Sequence, residues 1–285
     1  VSGDGRRIDL TDQAQDGKIQ WQVPEGSWTV YELSVRCPIQ RVKRAAPGGE
    51  GYVVDPYSVA ALDSYLSEFD KPFSEFKGIL PRAHFHDSFE YFDANWTPDF
   101  FNEFKKRRGY DLRDHIEAFF GDSSSEIVAR VKSDYRETIS DLHIAYIQRW
   151  AQWCRRYGSR CRNQAHGAPA NLIDLYAAAD IPETEIFRFP DFRQIPMLKL
   201  ASSAAHISGR TLASSESFTW LREHFNASLT DIKTAADLLL LSGINHIFFH
   251  GIPYSPTNAA WPGWQFYASV NFGPGGGLWH DLPDF

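Results

Sequence analysis

The chain has 285 residues, a hydrophobic fraction of 43% and a formal net charge of −7. This length allows one large domain or two small ones. The acidic balance excludes the basic face of a nucleic-acid-binding protein, and no apolar run reaches the length of a membrane span. Cys37, Cys154 and Cys161 lack metal-type spacing and form no closed disulfide framework. Since the chain shows no signal peptide and does not begin with Met, we expect further domains in the same polypeptide.

The N-terminal segment shows the alternation of apolar and polar side chains that is typical of strands. Residues 8–10, 19–23 and 28–35 alternate in this way. A piece this short cannot bury a core of its own, so it must pack against something else. We therefore expect residues 1–26 to be the end of a preceding β-sandwich-like domain, and residues 28–35 to be the first strand of a domain over 27–285.

Strand-like and helix-like stretches then alternate along the chain. Apolar residues at helical spacing predict a first helix capped by Ser58 and a long helix that stops at Gly158. The predicted helices cover residues 58–69, 98–107, 112–120, 125–157, 172–178, 197–207 and 229–241. The predicted strands cover residues 83–89, 159–165, 181–187, 211–217 and 244–250. Residues 38–56 and 251–285 are rich in Pro and Gly, which predicts loops.

This alternation predicts a parallel sheet covered by helices. About six strands, with polar residues at their carboxyl ends, resemble a (β/α)8 barrel that is incomplete at the C-terminus. The alternative is an open doubly wound sheet, which requires a glycine-rich phosphate loop after its first strand. Residues 47–51 (Pro-Gly-Gly-Glu-Gly) lack the spacing of such a loop and begin no predicted helix. The barrel is therefore the expected fold.

Two glutamates, Glu90 and Glu216, lie at the ends of strand-like runs. Since the carboxyl ends of barrel strands converge on one mouth, we expect these side chains to face each other. Two opposed carboxyl groups are the minimal equipment for hydrolysing a glycosidic bond, with ~6.5–9.5 Å between them for inversion and ~5–5.5 Å for retention. The pair predicts a sugar-processing enzyme.

Further polar residues are expected at the same mouth, and so dense a set is costly to bury without a purpose. The wider set also includes His84, Glu185 and His246. The residues that we expect to bind substrate are His86, Asp87, Asn163, Gln164, His166, Glu183, Trp220 and His250.

Glu183 and Glu185 lie two positions apart on a predicted strand and therefore share one of its faces. A carboxylate there could bind a hard cation such as Ca²⁺, which prefers oxygen donors, or could orient a sugar hydroxyl. The alternative is an ion pair with Arg188, Arg193 or Arg210.

The sequence His84-Phe-His86 also allows a different function. Two histidines in this arrangement at a strand end begin the Zn²⁺ site of some metal-dependent amidohydrolases. His166, His250 and Asp87 could supply the remaining ligands. This alternative would leave the paired glutamates unexplained.

Aromatic residues make up 15% of the chain, and nine of them are Trp. Aromatic faces stack on the apolar faces of sugars, although most aromatic residues fill cores. Trp96, Trp220, Trp261 and Trp264 follow predicted strands or lie in the last loop, where either a sugar platform or a packing role fits.

Taken together and in order, these motifs resemble the catalytic region of glycoside hydrolase family 106, the α-L-rhamnosidases. The resemblance spans most of residues 20–270 and is carried by order and spacing. The matching segments are residues 26–28, 51–56, 86–90, 95–100, 104–110, 179–182 with Glu185, 199–207, 215–219 and 243–250.

The resemblance implies a (β/α)8 barrel inside a much longer multidomain protein, in the periplasm or secreted, which acts on an oligosaccharide or glycoside. It implies inversion of the anomeric configuration and a Ca²⁺ ion at the sugar site. By the same resemblance Glu90 is the general acid, Glu216 is the general base and Glu185 is a calcium or substrate ligand.

We therefore expect an inverting exo-α-L-rhamnosidase in which a less polar pocket keeps Glu90 protonated. Residues 163–166 and 251–264 depart from the family's pattern, and these loops shape the sugar pocket. These departures concern which sugar is recognised and not hydrolysis itself. The other alternative is a carbohydrate-binding fragment without catalysis, because an unclosed barrel need not turn over substrate.

Overall fold

The computed structural model describes residues 1–36, 40–186, 191–220, 225–268 and 270–285, and the statements below concern these residues. Its main feature is a five-stranded parallel sheet with the strands in chain order, accompanied by a separate two-stranded antiparallel pair. In chain order the strands are β1 (Ala14–Gln15), β2 (Lys18–Ile19), β3 (Ala83–His86), β4 (Arg160–Gln164), β5 (Ile181–Ile186), β6 (Ser214–Ser217) and β7 (His246–Phe249). Strands β3 to β7 form the parallel sheet.

Helices connect the parallel strands and confirm the predicted β/α alternation. They are α1 (Val59–Glu75), α2 (Phe100–Arg108), α3 (Ile116–Phe120), α4 (Ser125–Arg156), α5 (Leu172–Ala178), α6 (Ile195–Ile207), α7 (Leu229–Leu241) and α8 (Leu278–Asp281). A parallel pair requires such a crossover, because the chain must return to the same end of the sheet. The described part is thus an α/β fold whose sheet is consistent with part of a barrel.

Local side-chain chemistry fixes the ends of several helices. Oγ of Ser58 accepts a hydrogen bond of 3.1 Å from the backbone N–H of Ala61, which caps α1 as predicted. Ser228 and Asp231 form a reciprocal capping box at the start of α7. Gly158, just beyond α4, has a φ of +72°, a conformation that glycine adopts at little cost.

The main core lies between the outer face of the sheet and the helices. Cys161 and Ile186 point outward from β4 and β5 and are buried together with Trp153 of α4 and Ala201 of α6. A second cluster, around Phe100, joins α2 to the first half of α4. The alternation of side chains along each strand leaves the opposite, inward face free for polar residues.

The strand predicted over residues 28–35 is wrong. In this region only Trp28 pairs, in an isolated antiparallel bridge with Ser2, and Val23, Val30 and Val35 are exposed. The apolar–polar alternation is present, but a strand forms only where a second strand supplies hydrogen-bond partners. The predicted strand over 19–23 is likewise reduced to Lys18–Ile19.

From α1 to β7 the predicted elements are confirmed with shifted ends. The strand predicted to end at Phe89 ends at His86, and the one predicted to begin at Thr211 begins at Ser214. Phe187, the expected last residue of β5, lies outside the described residues, as does Cys37. Cys154 and Cys161 are buried free thiols. Within the described chain, every helix is too short or too polar to cross a lipid bilayer.

Candidate active site

The inward face of the parallel sheet carries polar side chains in two layers. In one layer, Gln164 on β4, Glu183 on β5 and Ser214 on β6 are register neighbours. In the next layer toward the carboxyl ends, Glu185 on β5 is the neighbour of Glu216 on β6. Because register neighbours project from the same face, strand pairing itself brings these carboxyl groups together.

Glu216 occupies a partly buried position, with 16% of its side chain exposed. Its Oε2 accepts a hydrogen bond of 2.9 Å from Nε2 of Gln164, and its Oε1 lies 3.6 Å from Nε2 of His250. Burial raises the pKa of Glu216 to about 7, and the charges of Glu185 and Asp87 act in the same direction. Both protonation states are therefore populated near neutral pH, as acid–base catalysis requires.

Glu183 is fully buried, and its charge is compensated inside the sheet. Its Oε2 lies 3.1 Å from Nε of Arg162 and accepts a 2.6 Å hydrogen bond from Oγ of Ser214. Its Oε1 accepts a 3.2 Å hydrogen bond from Nε2 of Gln164. Since both oxygens are engaged and no surface is exposed, this position does not fit the predicted substrate ligand, and Glu183 instead supports its neighbours.

The ion pair considered for this strand exists, but with a different arginine. Arg162 of β4 pairs with Glu183, whereas Arg193 pairs with Asp191 and Arg210 lies 3.7 Å from Asp180. Arg188, the third arginine considered, lies outside the described residues.

Glu185, His166, Asp87 and His250 complete the polar group around Glu216. Nε2 of His166 lies 3.2 Å from Oε2 of Glu185, and both side chains are largely buried. Partial burial raises the pKa of Asp87, and the charges of Glu90 and Glu185 add to this shift. Burial lowers the pKa of His250, while Glu185 and Asp87 oppose that change. The structure thus places His166, Asp87 and His250 where the sequence predicted substrate-binding residues.

Glu90 lies in the segment after β3 and differs from Glu216 in its surroundings. Its side chain is 45% exposed, and its Oε1 lies 2.8 Å from Nζ of Lys43. Nε2 of Gln40 donates a 2.7 Å hydrogen bond to the backbone carbonyl of Glu90. The expectation of a less polar pocket around Glu90 is therefore wrong, because an exposed carboxylate here faces an ammonium group. Asp87 lies within electrostatic reach of both Glu90 and Glu216.

His84 and His86 project from the outer face of β3, toward the helices. The ring of His84 packs against Phe73 and Trp153. Nε2 of His86 is 2.9 Å from the hydroxyl of Tyr91, and burial lowers the pKa of His86 to about 4. Alternation along β3 turns both rings away from the carboxylates. Their position fits neither the amidohydrolase-type metal site nor the predicted substrate contact of His86.

Asn163, like His84 and His86, projects from the outer face of the sheet. It lies on β4 between the inward-facing Arg162 and Gln164, is in register with His86, and has no exposed surface. It therefore belongs to the outer, helix-facing side of the sheet rather than to the predicted substrate site.

The four tryptophans divide into two kinds. Trp220 is only 2% exposed and packs edge-on against Phe218, so it cannot stack on a sugar as predicted. Trp96 packs against Phe100 in the second core cluster. Trp261 and Trp264 are 75% and 61% exposed in the loop after β7, with the ring of Phe225 stacked on one face of Trp261 and the ring of Tyr254 in an edge contact with Trp264. The sugar-platform prediction therefore fits only these last two.

Two residues near the candidate site had not been predicted from the sequence. Arg162 lies inside the sheet, its guanidinium 4.3 Å from the ring centre of Phe85 and 3.6 Å from that of Phe248. Its position two residues before Gln164 puts both on one face, a signal that the sequence contained. Lys43 comes from a loop distant in sequence, and no local pattern pointed to its contact with Glu90.

The family resemblance implied Ca²⁺ with Glu185 as a ligand. Calcium takes six to eight oxygen ligands, several of them carboxylates. Among the described residues, no group of three or more Asp, Glu, His or Cys side chains is placed to hold a metal ion, and Glu185 already faces His166. These side chains do not form a fitting calcium site, so the steps proposed below use only the chain's own groups.

A parallel α/β sheet that gathers carboxyl groups at the carboxyl ends of its strands is typical of carbohydrate-cleaving hydrolases. The comparison with protein families identifies the family to which the chain belongs. The chain belongs to glycoside hydrolase family 106, whose model, described as alpha-L-rhamnosidase, matches residues 4–273. The resemblance found in the sequence is thereby confirmed.

Two similar proteins extend this result. A protein of Formosa agariphila named "Putative beta-glucuronidase" is 30% identical over 264 residues, which cover 89% of this chain and 22% of that protein. The solved structure of a rhamnosidase from Novosphingobium sp. PP1Y matches with a TM-score of 0.70 and 22% identity, over 91% of this chain and 27% of that one. At this identity the structural match supports the fold alone. The chain thus spans about a quarter of each relative's length.

Proposed function

We propose that this chain carries the catalytic site of an inverting exo-α-L-rhamnosidase that acts on plant or microbial glycans. The observation that carries the proposal is the Glu216 carboxyl group, which is held at the carboxyl end of β6 among other carboxyl groups and has a pKa of about 7. Family membership supports the reaction class. The sugar is the finer part of the proposal, since one relative carries the name of a glucuronidase.

In this proposal Glu216 is the general base. A base works best when its pKa is near the operating pH, because it is then both ionised and strong enough to accept a proton. Glu216 takes a proton from water while the water oxygen bonds to the anomeric carbon and the bond to the leaving oxygen breaks. His250 and His166, beside Glu216 and Glu185, are available to orient sugar hydroxyls.

The proton for the leaving oxygen comes from the segment after β3, and Glu90 is its proposed donor. Its Oε1 lies 2.8 Å from Nζ of Lys43, so the leaving oxygen must take the place of this ammonium group beside the carboxyl group. Asp87 is the second candidate, because its pKa is raised and its charge acts on Glu216.

We also propose that the five parallel strands are part of a (β/α)8 barrel within a longer polypeptide. The order of strands and the intervening helices support this, as does the small share of each relative that the chain covers. In the same scheme residues 1–26 belong to a neighbouring β domain, which would cover the exposed apolar residues of this segment.

The experiment is a substrate screen with the full polypeptide. Aryl α-L-rhamnosides and aryl β-D-glucuronides are compared, and the matched substrate is repeated with Glu216→Gln. We expect turnover of the rhamnoside, and Glu216→Gln should lower it by roughly 10³-fold or more. Preference for the glucuronide would overturn the sugar but keep the reaction. Sugar binding without any turnover would favour the carbohydrate-binding alternative.

A further inference from the structure

The amide of Gln164 lies between two carboxyl groups on neighbouring strands. We propose that Gln164, anchored by the Arg162–Glu183 ion pair, is a positioning residue that orients Glu216, rather than a substrate ligand. This inference rests on the proposed function, in that the group being oriented is the proposed base.

The contacts fix the orientation of the Gln164 amide. Its Nε2 donates one hydrogen bond of 3.2 Å to Oε1 of Glu183 and another of 2.9 Å to Oε2 of Glu216. An amide NH₂ group has two hydrogens, and both are used here. The flipped amide would place its oxygen against two carboxylates, which accept but do not donate hydrogen bonds when ionised. The orientation with both hydrogens donated is therefore the one that fits the ionised form of Glu216, which the proposed base requires.

The anchor beneath Gln164 is itself fixed. Glu183 is held by the Arg162 guanidinium and by the Ser214 hydroxyl, on the two strands that flank it. The guanidinium lies between the rings of Phe85 and Phe248, which restrict its movement. A carboxylate held from both sides is a rigid reference point for the amide above it.

This arrangement distinguishes the two oxygens of Glu216. Oε2 is occupied by the hydrogen bond from Gln164, whereas Oε1 lies 3.6 Å from His250, on the side of the polar group at the mouth. Oε1 is thus the oxygen left for a water molecule. The role of Gln164 is to hold the carboxyl group in the rotation that presents Oε1.

A direct contact between Gln164 and substrate is disfavoured by the same geometry. The side chain is only 2% exposed, and both amide hydrogens are already donated. A sugar hydroxyl would have to replace one of two charge-assisted hydrogen bonds, which are about twice as strong as neutral ones.

The test replaces Gln164 by Met, which keeps the length but removes the donors, and compares it with Gln152→Met, an exposed position on α4. We expect Gln164→Met to lower kcat roughly 10- to 100-fold, the usual worth of a hydrogen bond to a charged group, with KM nearly unchanged. The control should leave both constants unchanged. A raised KM with normal kcat would overturn the proposal.

A double-mutant cycle with Glu216→Gln adds a second readout. If Gln164 acts through Glu216, Gln164→Met should have little further effect once the carboxylate is gone. Additive losses would contradict the proposal. Should Gln164→Met fail to fold, the near-isosteric Gln164→Glu should show the same loss of kcat, and normal kcat in that variant overturns the inference.

A crystal structure of Gln164→Met decides the matter without activity. The proposal predicts a changed rotation of the Glu216 carboxyl group, and an unchanged rotation contradicts it. A wild-type polypeptide that hydrolyses no aryl glycoside would refute the proposed function, whereas the crystallographic result would still decide the positioning role.

Discussion

The carboxyl ends of β6 and β3 hold their acidic groups in contrasting ways. Glu216 lies on a strand, is 16% exposed and is fixed by Gln164. Glu90 lies in the segment after β3, is 45% exposed and faces Lys43. Strand register and burial set the surroundings of the first group, whereas the second lies in an exposed ion pair with an ammonium group from a segment distant in sequence. In the proposed reaction, one carboxyl group is thus held by the sheet and the other lies on an exposed segment.

Glu216→Gln should have the largest effect. The amide cannot accept a proton, so we expect kcat to fall by roughly 10³-fold or more, at the upper part of the range for general acid–base groups. Steady-state kinetics on an aryl α-L-rhamnoside measures the loss, and circular dichroism checks the fold. Glu68→Gln, an exposed change on α1, is the control. Near-normal turnover by Glu216→Gln would remove this residue from the mechanism.

Glu90→Gln and Asp87→Asn identify the proton donor at the β3 end. In the variant that lacks the proton donor, kcat should fall roughly 10²- to 10³-fold on glycosides with a poor leaving group. The decrease in kcat should be far smaller on a dinitrophenyl glycoside, because that leaving group departs without protonation. We expect this pattern for Glu90→Gln. Its appearance in Asp87→Asn alone would transfer the role to Asp87.

The pH dependence of kcat/KM tests the ionisation of Glu216. The pKa of Glu216 is raised from 4.5 to about 7, and a base works only when ionised. The value of kcat/KM should therefore fall about tenfold per pH unit below 7, and above 7 it should fall only as the proton donor at the β3 end loses its proton. Initial rates from pH 5 to 9 measure this. A value of kcat/KM that stays constant below pH 7 would contradict the role of Glu216 as the base.

Lys43→Met should have the smallest effect. Exposed ion pairs contribute ~0–1 kcal/mol, so kcat/KM should change less than about fivefold and thermal stability only slightly. The same assay and a thermal melt provide the readout. A loss as large as that of Glu90→Gln would show that Lys43 takes part in the reaction.

Most of the parallel sheet could be predicted from the sequence, because its signals are local. The helical spacing of α4, the cap of α1 at Ser58 and the end of α4 at Gly158 are each recognised from a short stretch of sequence. The prediction of a strand over residues 28–35 was wrong because strand formation also depends on a contact that is not local in sequence. The alternation in this segment is a local signal, but a strand also needs a partner that no local pattern reveals.

The site was predicted in part for a related reason. Alternation placed Glu183 with Glu185 on one face, and a position at the end of a strand-like run selected Glu216, to which the family resemblance gave the role of base. Burial and long-range contacts could not be predicted from local sequence patterns. The burial of Trp220 and the contact of Lys43 with Glu90 depend on segments that are far apart in the chain. The position of His86 on the outer face could not be predicted, because its strand parity relative to the carboxylates is set by the register of β3 against β4.

The most direct test of hydrolysis by inversion is the first-formed anomer. Wild-type polypeptide is mixed with an aryl α-L-rhamnoside, and the released sugar is followed by proton NMR before mutarotation equilibrates it. The account predicts β-L-rhamnose first, and no product from Glu216→Gln within the same period. Initial release of α-L-rhamnose, or equal product from the Glu216→Gln variant, would contradict it.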